Sequence, residues 1–175
     1  MKILTILVYF LVWVNLDENV DESSYSILFS VTNAGFDVEG KIQLQEAEIR
    51  FDPANLRSSY IYATADPSTI KTGISIRDKH LKRSDYLDVG TYPQITLRSK
   101  AFRKKGRENF VGRFDLTIKG VTKEITIPLT RKKDNKIVRY EARFEINRID
   151  FSIGAESLTL ADVVNITVTA HVPNP

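Results

Sequence analysis

The sequence contains no cysteine and only two histidines, His80 and His171. Without cysteine the chain has no disulfide framework, so its stability outside the cytosol would depend on a buried core. Two histidines far apart in the sequence do not indicate a metal site, and we predict neither a metal nor a cofactor. The sequence also lacks a Gly-x-Ser-x-Gly nucleophile elbow and a Gly-x-x-x-x-Gly-Lys-Ser/Thr phosphate loop. We therefore predict that the protein is not an enzyme.

The composition is that of a folded domain with a basic surface. The chain has 175 residues, of which 42% are hydrophobic and 27% are charged, so it can bury a core and is not expected to be disordered. Residues 1–24 hold one base and four acids, so the remainder carries 24 bases and 18 acids, a formal net charge of +6. This charge is compatible with contact to an anionic membrane surface, and equally with simple solubility.

Residues 1–24 have the pattern of an export signal. A lysine at position 2 is followed by an apolar run over residues 3–14, which is shorter than the roughly 20 residues that a membrane-spanning helix needs. No small-x-small cleavage site follows the run. We therefore predict a signal-like segment over 1–24, either cleaved or kept as a membrane anchor through residues 3–14. The remaining residues, 25–175, are predicted to form the folded domain of a periplasmic or secreted protein.

Most of the chain after residue 24 alternates between hydrophobic and polar residues, as in Ile125, Ile127 and Leu129. A period of two indicates strands with one face toward a core, and short polar breaks between them are typical of antiparallel hairpins. Pro128 cannot donate a ladder hydrogen bond, so its strand should be bulged or at an edge there. The pattern predicts eight strands and a candidate ninth, over residues 25–33, 36–44, 46–52, 58–66, 94–102, 108–118, 123–131, 139–147 and 162–172.

Residues 67–93 interrupt this pattern. Ile76, His80 and Leu81 have roughly helical spacing, which predicts a short helix near residues 74–83. Eight strands could close into a barrel with room for side chains or one slim ligand, and a sandwich fits the periodicity nearly as well. The pattern therefore indicates an all-β protein without deciding between these two architectures.

Four ordered motifs resemble those of the YceI-like family. Residues 69–93, TIKTGISIRDKHLKRSDYLDVGTYP, are similar to its S-I-x-T-G, R-D-x-H-L, F-D-V and Y-P run. Residues 51–53, FDP, residues 112–123, GRFDLTIKGVTK, and residues 146–151, INRIDF, resemble three further motifs. The resemblance covers about residues 25–172, nearly the whole chain after the signal-like segment.

This resemblance implies an eight-stranded, lipocalin-like antiparallel barrel with a long apolar channel. Family members are mostly bacterial and exported, and they are associated with polyisoprenoid or other amphiphilic lipids. The sequence departs from the family at two points, because Asn33 stands where a histidine is common and the glycine after Asp150-Phe151 is displaced to Gly154. Any role of that histidine is therefore not carried over.

We predict that aromatic and aliphatic side chains line the channel and bind the hydrocarbon part of a lipid or isoprenoid ligand. The candidates are Ile27, Phe29, Val31, Phe36, Ile74, Leu81, Tyr86, Ile95, Leu97, Phe114, Ile127, Phe144, Ile146, Phe151 and Ile166.

Arg77, His80 and Arg148 are the candidates for a polar mouth, since arginine and protonated histidine can pair with a phosphate head group. The alternative is structural. Arg77 with the neighbouring Asp78 could fix the helix to the sheet, and Arg148 could pair with an aspartate at position 78, 85 or 88.

The resulting prediction is an exported carrier of a long-chain amphiphile. Two alternatives stay open: a lipocalin-like enzyme with His80 as its base, and a ligand-free structural or stress-response protein with a filled core. The basic segments 103–107 and 131–133 are either solvated loops or contacts to anionic lipid. A nucleic-acid partner is not predicted, because Phe102 and Phe110 flank only one of these segments. A homodimer is a further open alternative.

Overall fold

The computed structural model describes residues 23–174, in which each strand pairs with its neighbour in sequence. The predicted signal-like segment therefore lies outside the described residues, apart from positions 23 and 24. The strands are β1 (Ser24–Asn33), β2 (Phe36–Arg50), β3 (Tyr60–Lys71), β4 (Ile95–Lys104), β5 (Asn109–Ile118), β6 (Val121–Lys133), β7 (Ile137–Asn147) and β8 (Val163–Pro173). The helix α1 (Ser75–Leu81) follows β3, and a 3₁₀ helix (Ile149–Phe151) follows β7. Within residues 23–174, neither helix is long and apolar enough to cross a membrane.

The sheet closes because β1 pairs with both β2 and β8. Ile27 lies opposite Ile42 on one side and opposite Val168 on the other, and both pairings are antiparallel. Closure of the sheet leaves every strand paired on both sides and encloses the inward-facing residues. The predicted eight-stranded antiparallel barrel with a short helix near residues 74–83 is thus confirmed.

The prediction of separate strands over 36–44 and 46–52 is wrong. These residues form the single strand β2, whose pairing with β3 shifts register between Leu44 and Glu46. A β-bulge bends a strand and adds a residue without ending it, so it resembles a strand boundary in the sequence. The nine predicted segments therefore make eight strands.

The strand β3 also extends past its predicted end at residue 66. Its register against β2 skips several residues after Asp66, and Pro67 lies in this irregular stretch. Side chains replace the missing ladder bonds: the Asp66 carboxylate accepts from the backbone N–H of Ser68 at 2.8 Å, and the Thr69 hydroxyl accepts from the backbone N–H of Gln43 at 2.8 Å. Residues 67–71, which lie past the predicted end of the strand, thus belong to a bulged part of β3.

Pro128 lies where the ladder between β6 and β7 ends. The paired residues of β6 begin at Leu129, so the residues before it have no ladder to β7. Proline has no N–H to donate, and the prediction of an edge or bulge at this position is confirmed. The 3₁₀ helix packs against β6 and β7, and its Phe151 is buried.

The two ends of the barrel differ in packing. The loop end, defined by the connections at residues 51–59, 105–108 and 134–136, is filled by aromatic rings. Phe51 makes edge-to-face contacts with Phe102, Phe110 and Tyr140 at centroid distances of 5.1, 5.0 and 5.9 Å. The opposite end, which carries α1, the β1–β2 turn and the loop 152–162, is the helix end. The lumen is therefore plugged at the loop end.

Candidate functional site

An apolar cavity of about 220 Å³ lies inside the barrel on the helix-end side of the aromatic plug. Strand residues from β1, β2, β3, β4, β5, β7 and β8 form its wall, together with residues of the segments after α1 and after β7. Leu81 and Tyr86 close it beneath the helix, and Ile153 and Leu160 close it beneath the loop 152–162. The cavity is therefore a lumen that the closed sheet creates.

The inward-facing side chains around the barrel are not equally buried. Inward-facing residues of β1 and β2, such as Phe29 and Ile42, are only half-buried, whereas Phe114 of β5 and Ile127 of β6 are fully buried. The wall at β3 presents the small side chains of Ala63 and Ala65 to the lumen. Small residues on a strand next to half-buried ones leave free volume that no side chain fills.

The cavity wall includes ten of the residues that we predict for the channel. They are Ile27, Phe29, Val31, Leu81, Tyr86, Ile95, Leu97, Phe144, Ile146 and Ile166.

The other five predicted residues lie elsewhere. Phe114 and Ile127 belong to the packed core on the β5–β6 side, and Phe151 is buried in the 3₁₀ helix. Phe36 is exposed at the start of β2, and Ile74 is half exposed immediately before α1. Inward alternation alone did not separate these positions, because a packed wall and a hollow wall share the same period.

Strand β2 contributes three lining residues that sequence reasoning missed, Val38, Ile42 and Leu44. These residues alternate along the strand, but Gly40 occupies the inward position between Val38 and Ile42. The glycine is required by packing, since a Cβ at this position would clash with the ring of Phe29 and lie 2.9 Å from a backbone carbonyl oxygen of β3. With Gly40 counted as an inward position, the alternation along β2 would have identified these three lining residues from the sequence.

Arg148 lies at the helix end of the cavity, and only 2% of its surface is exposed. All five of its N–H donors are engaged at distances between 2.8 and 3.3 Å. The acceptors are the carbonyl oxygens of Ile153, Ala155, Leu160 and Ala161 and the carboxylate of Asp162. A guanidinium with every donor engaged can bind a head group only by giving up one of these bonds.

The suggested pairing of Arg148 with an aspartate at position 78, 85 or 88 is corrected by this geometry. Its partner is Asp162, at 2.8 Å. Asp162 immediately precedes β8, so the arginine ties the loop 152–162 to the end of β7.

Arg77 and Asp78 both bind Thr72, the residue that follows β3. Arg77 donates from Nε to the Thr72 hydroxyl and from Nη2 to the Thr72 carbonyl, each at 2.8 Å. The Asp78 carboxylate accepts from the Thr72 hydroxyl at 2.6 Å and from its backbone N–H at 2.8 Å. The hydroxyl hydrogen bond lowers the pKa of Asp78 below its usual value of 3.8. These contacts fix α1 to the sheet.

His80 lies on the outer side of the same helix. Its Nε2 is 3.1 Å from the Asp85 carboxylate, and its ring meets the ring of Tyr86 edge-to-face with a centroid distance of 4.9 Å. About half of its side chain is exposed. Tyr86 lines the cavity, so His80 supports the wall from outside.

The closed antiparallel barrel, with one plugged end and an apolar lumen beneath a short helix, defines a small lipocalin-like β-barrel. The sequence profile of the YceI-like domain matches residues 19–172. The chain therefore belongs to the YceI-like family, as the motifs predicted.

Relatives in known sequences agree with this assignment. Protein YceI of Escherichia coli is 28% identical over 151 residues, which cover 82% of this chain and 78% of that protein. A UPF0312 protein of Vibrio parahaemolyticus is 32% identical over 103 residues, which cover 58% of this chain and 54% of the relative. The matched stretch thus spans about half the length of this Vibrio relative.

Solved structures share the fold. BcnA of Burkholderia cenocepacia superposes with a TM-score of 0.81 at 24% identity, covering 85% of this chain and 96% of that one. The YceI protein of Campylobacter jejuni has a TM-score of 0.71 at 27% identity, with coverages of 79% and 85%. A polyisoprenoid-binding domain from Saccharophagus degradans has a TM-score of 0.67 at 12% identity, with coverages of 86% and 94%.

Proposed function

We propose that the barrel is an exported carrier that holds the hydrocarbon part of a long-chain amphiphile, such as a polyisoprenoid, in its cavity without covalent chemistry. The observation that carries this proposal is the half-buried state of the inward side chains on β1 and β2, such as Phe29 and Ile42, beside a cavity of about 220 Å³. Apolar side chains around free volume are the natural surroundings of a hydrocarbon chain.

The size of the hydrophobic effect supports this reading. Each buried methylene contributes about 0.8 kcal/mol, so a stretch of ten carbons offers roughly 8 kcal/mol before the cost of association is subtracted. Such a ligand needs no strong hydrogen bond inside the barrel. This agrees with the engagement of Arg148 and Arg77 by protein acceptors.

The chemical class of the ligand is suggested by the neighbour from Saccharophagus degradans, which is described as polyisoprenoid-binding and shares this fold. Export is supported by the signal-like pattern of residues 1–24. The alternative of an enzyme with His80 as base gains no support from the position of this residue outside the cavity wall.

The fold separates the basic segments 103–107 and 131–133 from the cavity, and this limits the role of any contact they make with anionic lipid. Both segments are at the loop end, on the far side of the aromatic plug from the cavity. Such a contact would hold the barrel with its cavity away from the membrane, so we propose it for attachment and not for ligand exchange.

The proposal is tested by purifying the full chain from lysate that contains membranes and identifying any bound lipid by native mass spectrometry. The same spectrum gives the oligomeric state and so tests for a homodimer. Phe144→Asp places a charge in the cavity wall, and we expect the folded variant to lose the lipid because the carboxylate has no partner there.

Arg143→Asp is the matched control, since Arg143 is the exposed neighbour of Phe144 on the same strand. This variant should keep its lipid. A folded Phe144→Asp protein with the full lipid content of the wild type would refute the proposal.

A further inference from the structure

Four large apolar side chains at the helix end of the barrel are at least half exposed. Phe36 is 77% exposed, Ile74 50% and Ile76 79%, and Leu158 is fully exposed. They come from three separate segments: the start of β2, the start of α1 and the loop 152–162. Single exposed apolar residues are ordinary on protein surfaces, but a group of them at one end of a molecule marks an interaction site. We call these four residues the apolar rim.

Backbone hydrogen bonds join two of the three segments that carry the rim. The loop 152–162 is bound to the β1–β2 turn, because Ala34 donates to the carbonyl of Thr159 and Ala161 donates to the carbonyl of Thr32, both at 2.8 Å. The rim is also continuous with the cavity wall, since Leu160, two residues after Leu158, lines the cavity. The loop that carries Leu158 therefore also contributes to the helix end of the lumen.

Charge distinguishes this end from the other. At the helix end, residues 31–41, 71–94, 117–123 and 147–163 contain nine bases and eight acids, so the charges nearly balance. At the loop end, residues 48–60, 101–109 and 130–141 contain eleven bases and five acids. The rim end thus has no strong field for an anionic partner, and its attraction must come from apolar contact.

The area of the rim also limits the kind of partner that it can bind. Four side chains of this size present roughly 500 Å², compared with about 800 Å² per partner in a standard protein interface. Their position on a turn, a helix start and a loop gives separate protrusions. Separate apolar anchors next to a nearly neutral surface match the interfacial region of a lipid bilayer better than a second copy of the barrel.

We propose that the apolar rim docks on the surface of a zwitterionic lipid bilayer, with the end of the cavity facing the hydrocarbon. This inference rests on the proposed function, because the bilayer is then the source of the amphiphile. It assigns ligand exchange to the end opposite the basic loops. The contact is apolar, so it should persist at high salt, where attraction between basic loops and anionic lipid is screened.

The absence of cysteine from the sequence makes a site-specific test straightforward. Single cysteines replace Ile76 or Leu158 in the full chain and are labelled with the polarity-sensitive fluorophore NBD. The controls are Leu28→Cys, which is 48% exposed on β1, and Lys105→Cys at the loop end. Residues 1–22 are common to all four proteins and cannot produce a difference between them.

With phosphatidylcholine vesicles at high salt, we expect the labels at positions 76 and 158 to shift their emission to shorter wavelength, while both control labels keep their spectrum in buffer. Rim labels that show no shift, or a shift only at position 105, would overturn the proposal. So would rim labels that become shielded without vesicles as protein concentration rises, because that result identifies a second copy as the partner.

A second measurement separates this inference from the proposed function. The double variant Ile76→Ser/Leu158→Ser should bind an NBD-labelled isoprenoid alcohol in detergent like the wild type, but take it up from phosphatidylcholine vesicles about tenfold more slowly. Equal uptake rates would overturn the rim proposal alone. A wild-type protein that binds the probe in neither setting would instead overturn the proposed function.

Discussion

Arg148 and Asp162 form an ion pair of 2.8 Å in which the arginine is buried and the aspartate is half exposed. The remaining donors of Arg148 bind four carbonyl groups of the segment 153–161. One side chain therefore determines the path of the loop that covers the cavity and carries Leu158 of the apolar rim. Arg148 belongs to a family motif and was a candidate for binding a head group, but its contacts in the fold are structural.

Arg148→Ala should lower the free energy of unfolding by about 3 kcal/mol, since it removes five hydrogen bonds of a buried side chain, including the ion pair to Asp162. Asp162→Asn should cost about 1 kcal/mol or less, because the aspartate is half exposed and an amide oxygen can still accept. Urea unfolding followed by circular dichroism measures both values. An unchanged midpoint for Arg148→Ala would contradict the structural role of this residue.

Gly40→Ala should disturb both stability and the cavity. The new methyl group would meet the ring of Phe29, which lines the cavity, and a backbone oxygen of β3, so the ring would have to move. We expect a loss of about 1 to 3 kcal/mol in stability and weaker binding of an isoprenoid probe.

Gly90→Ala is the matched control, because a methyl group at Gly90 has no neighbouring atom within 4 Å. Its effect on stability should stay within about 0.5 kcal/mol. Probe affinity is measured by fluorescence titration, and equal affinities in the two variants would show that Phe29 does not border the binding space.

Two alanines inside the barrel test whether the lumen is empty. Ala63 faces the cavity, whereas Ala170 is buried in the aromatic half of the core. Ala63→Leu should keep or raise stability, by up to about 2 kcal/mol, because its added carbons enter free space, and it should weaken probe binding. Ala170→Leu should cost about 1 to 3 kcal/mol through overpacking.

Thermal unfolding and probe titration on the two leucine variants give the comparison. Similar losses of stability at both positions would mean that the cavity side is as tightly filled as the plug, and the carrier proposal would then lose its physical basis.

The sequence predicts the strands well because alternation is a local property. Val164, Ile166 and Val168 reveal the inward face of β8 without any knowledge of other strands. The division of the lumen into a hollow and a packed part is not local, since it depends on whether a residue such as Phe144 faces Ala63 or another aromatic ring across the barrel.

The polar residues were harder to place for a related reason. Arg148 and Asp162 are 14 residues apart, and their pairing depends on the path of the intervening loop. Phe36 differs again, because it has the inward register of a β2 residue but lies at the helix end of the strand, where it is exposed to solvent. The position at which the barrel ends depends on the whole sheet, so it cannot be predicted from the sequence of one strand.

The hydrogen bond from the Thr72 hydroxyl to Asp78 predicts an acid dependence of stability. This bond, assisted by the Thr72 backbone N–H and Arg77, lowers the pKa of Asp78 below 3.8 in the folded protein. A carboxyl whose folded pKa is depressed contributes stability at pH values above its unfolded pKa, and the contribution disappears as pH falls through the folded value. Asp78→Asn should therefore be less stable than the wild type at neutral pH, with a difference that shrinks below pH 3.8.

The measurement is the urea midpoint of both proteins as pH is lowered from neutral to below 3.8. Thr72→Val supplies the control, because it removes the hydroxyl that has the largest effect on this carboxyl. In the Thr72→Val background, Asp78→Asn should change the pH dependence much less than it does in the wild type. A full-sized pH-dependent effect in that background would show that the hydroxyl hydrogen bond does not hold α1 to the barrel.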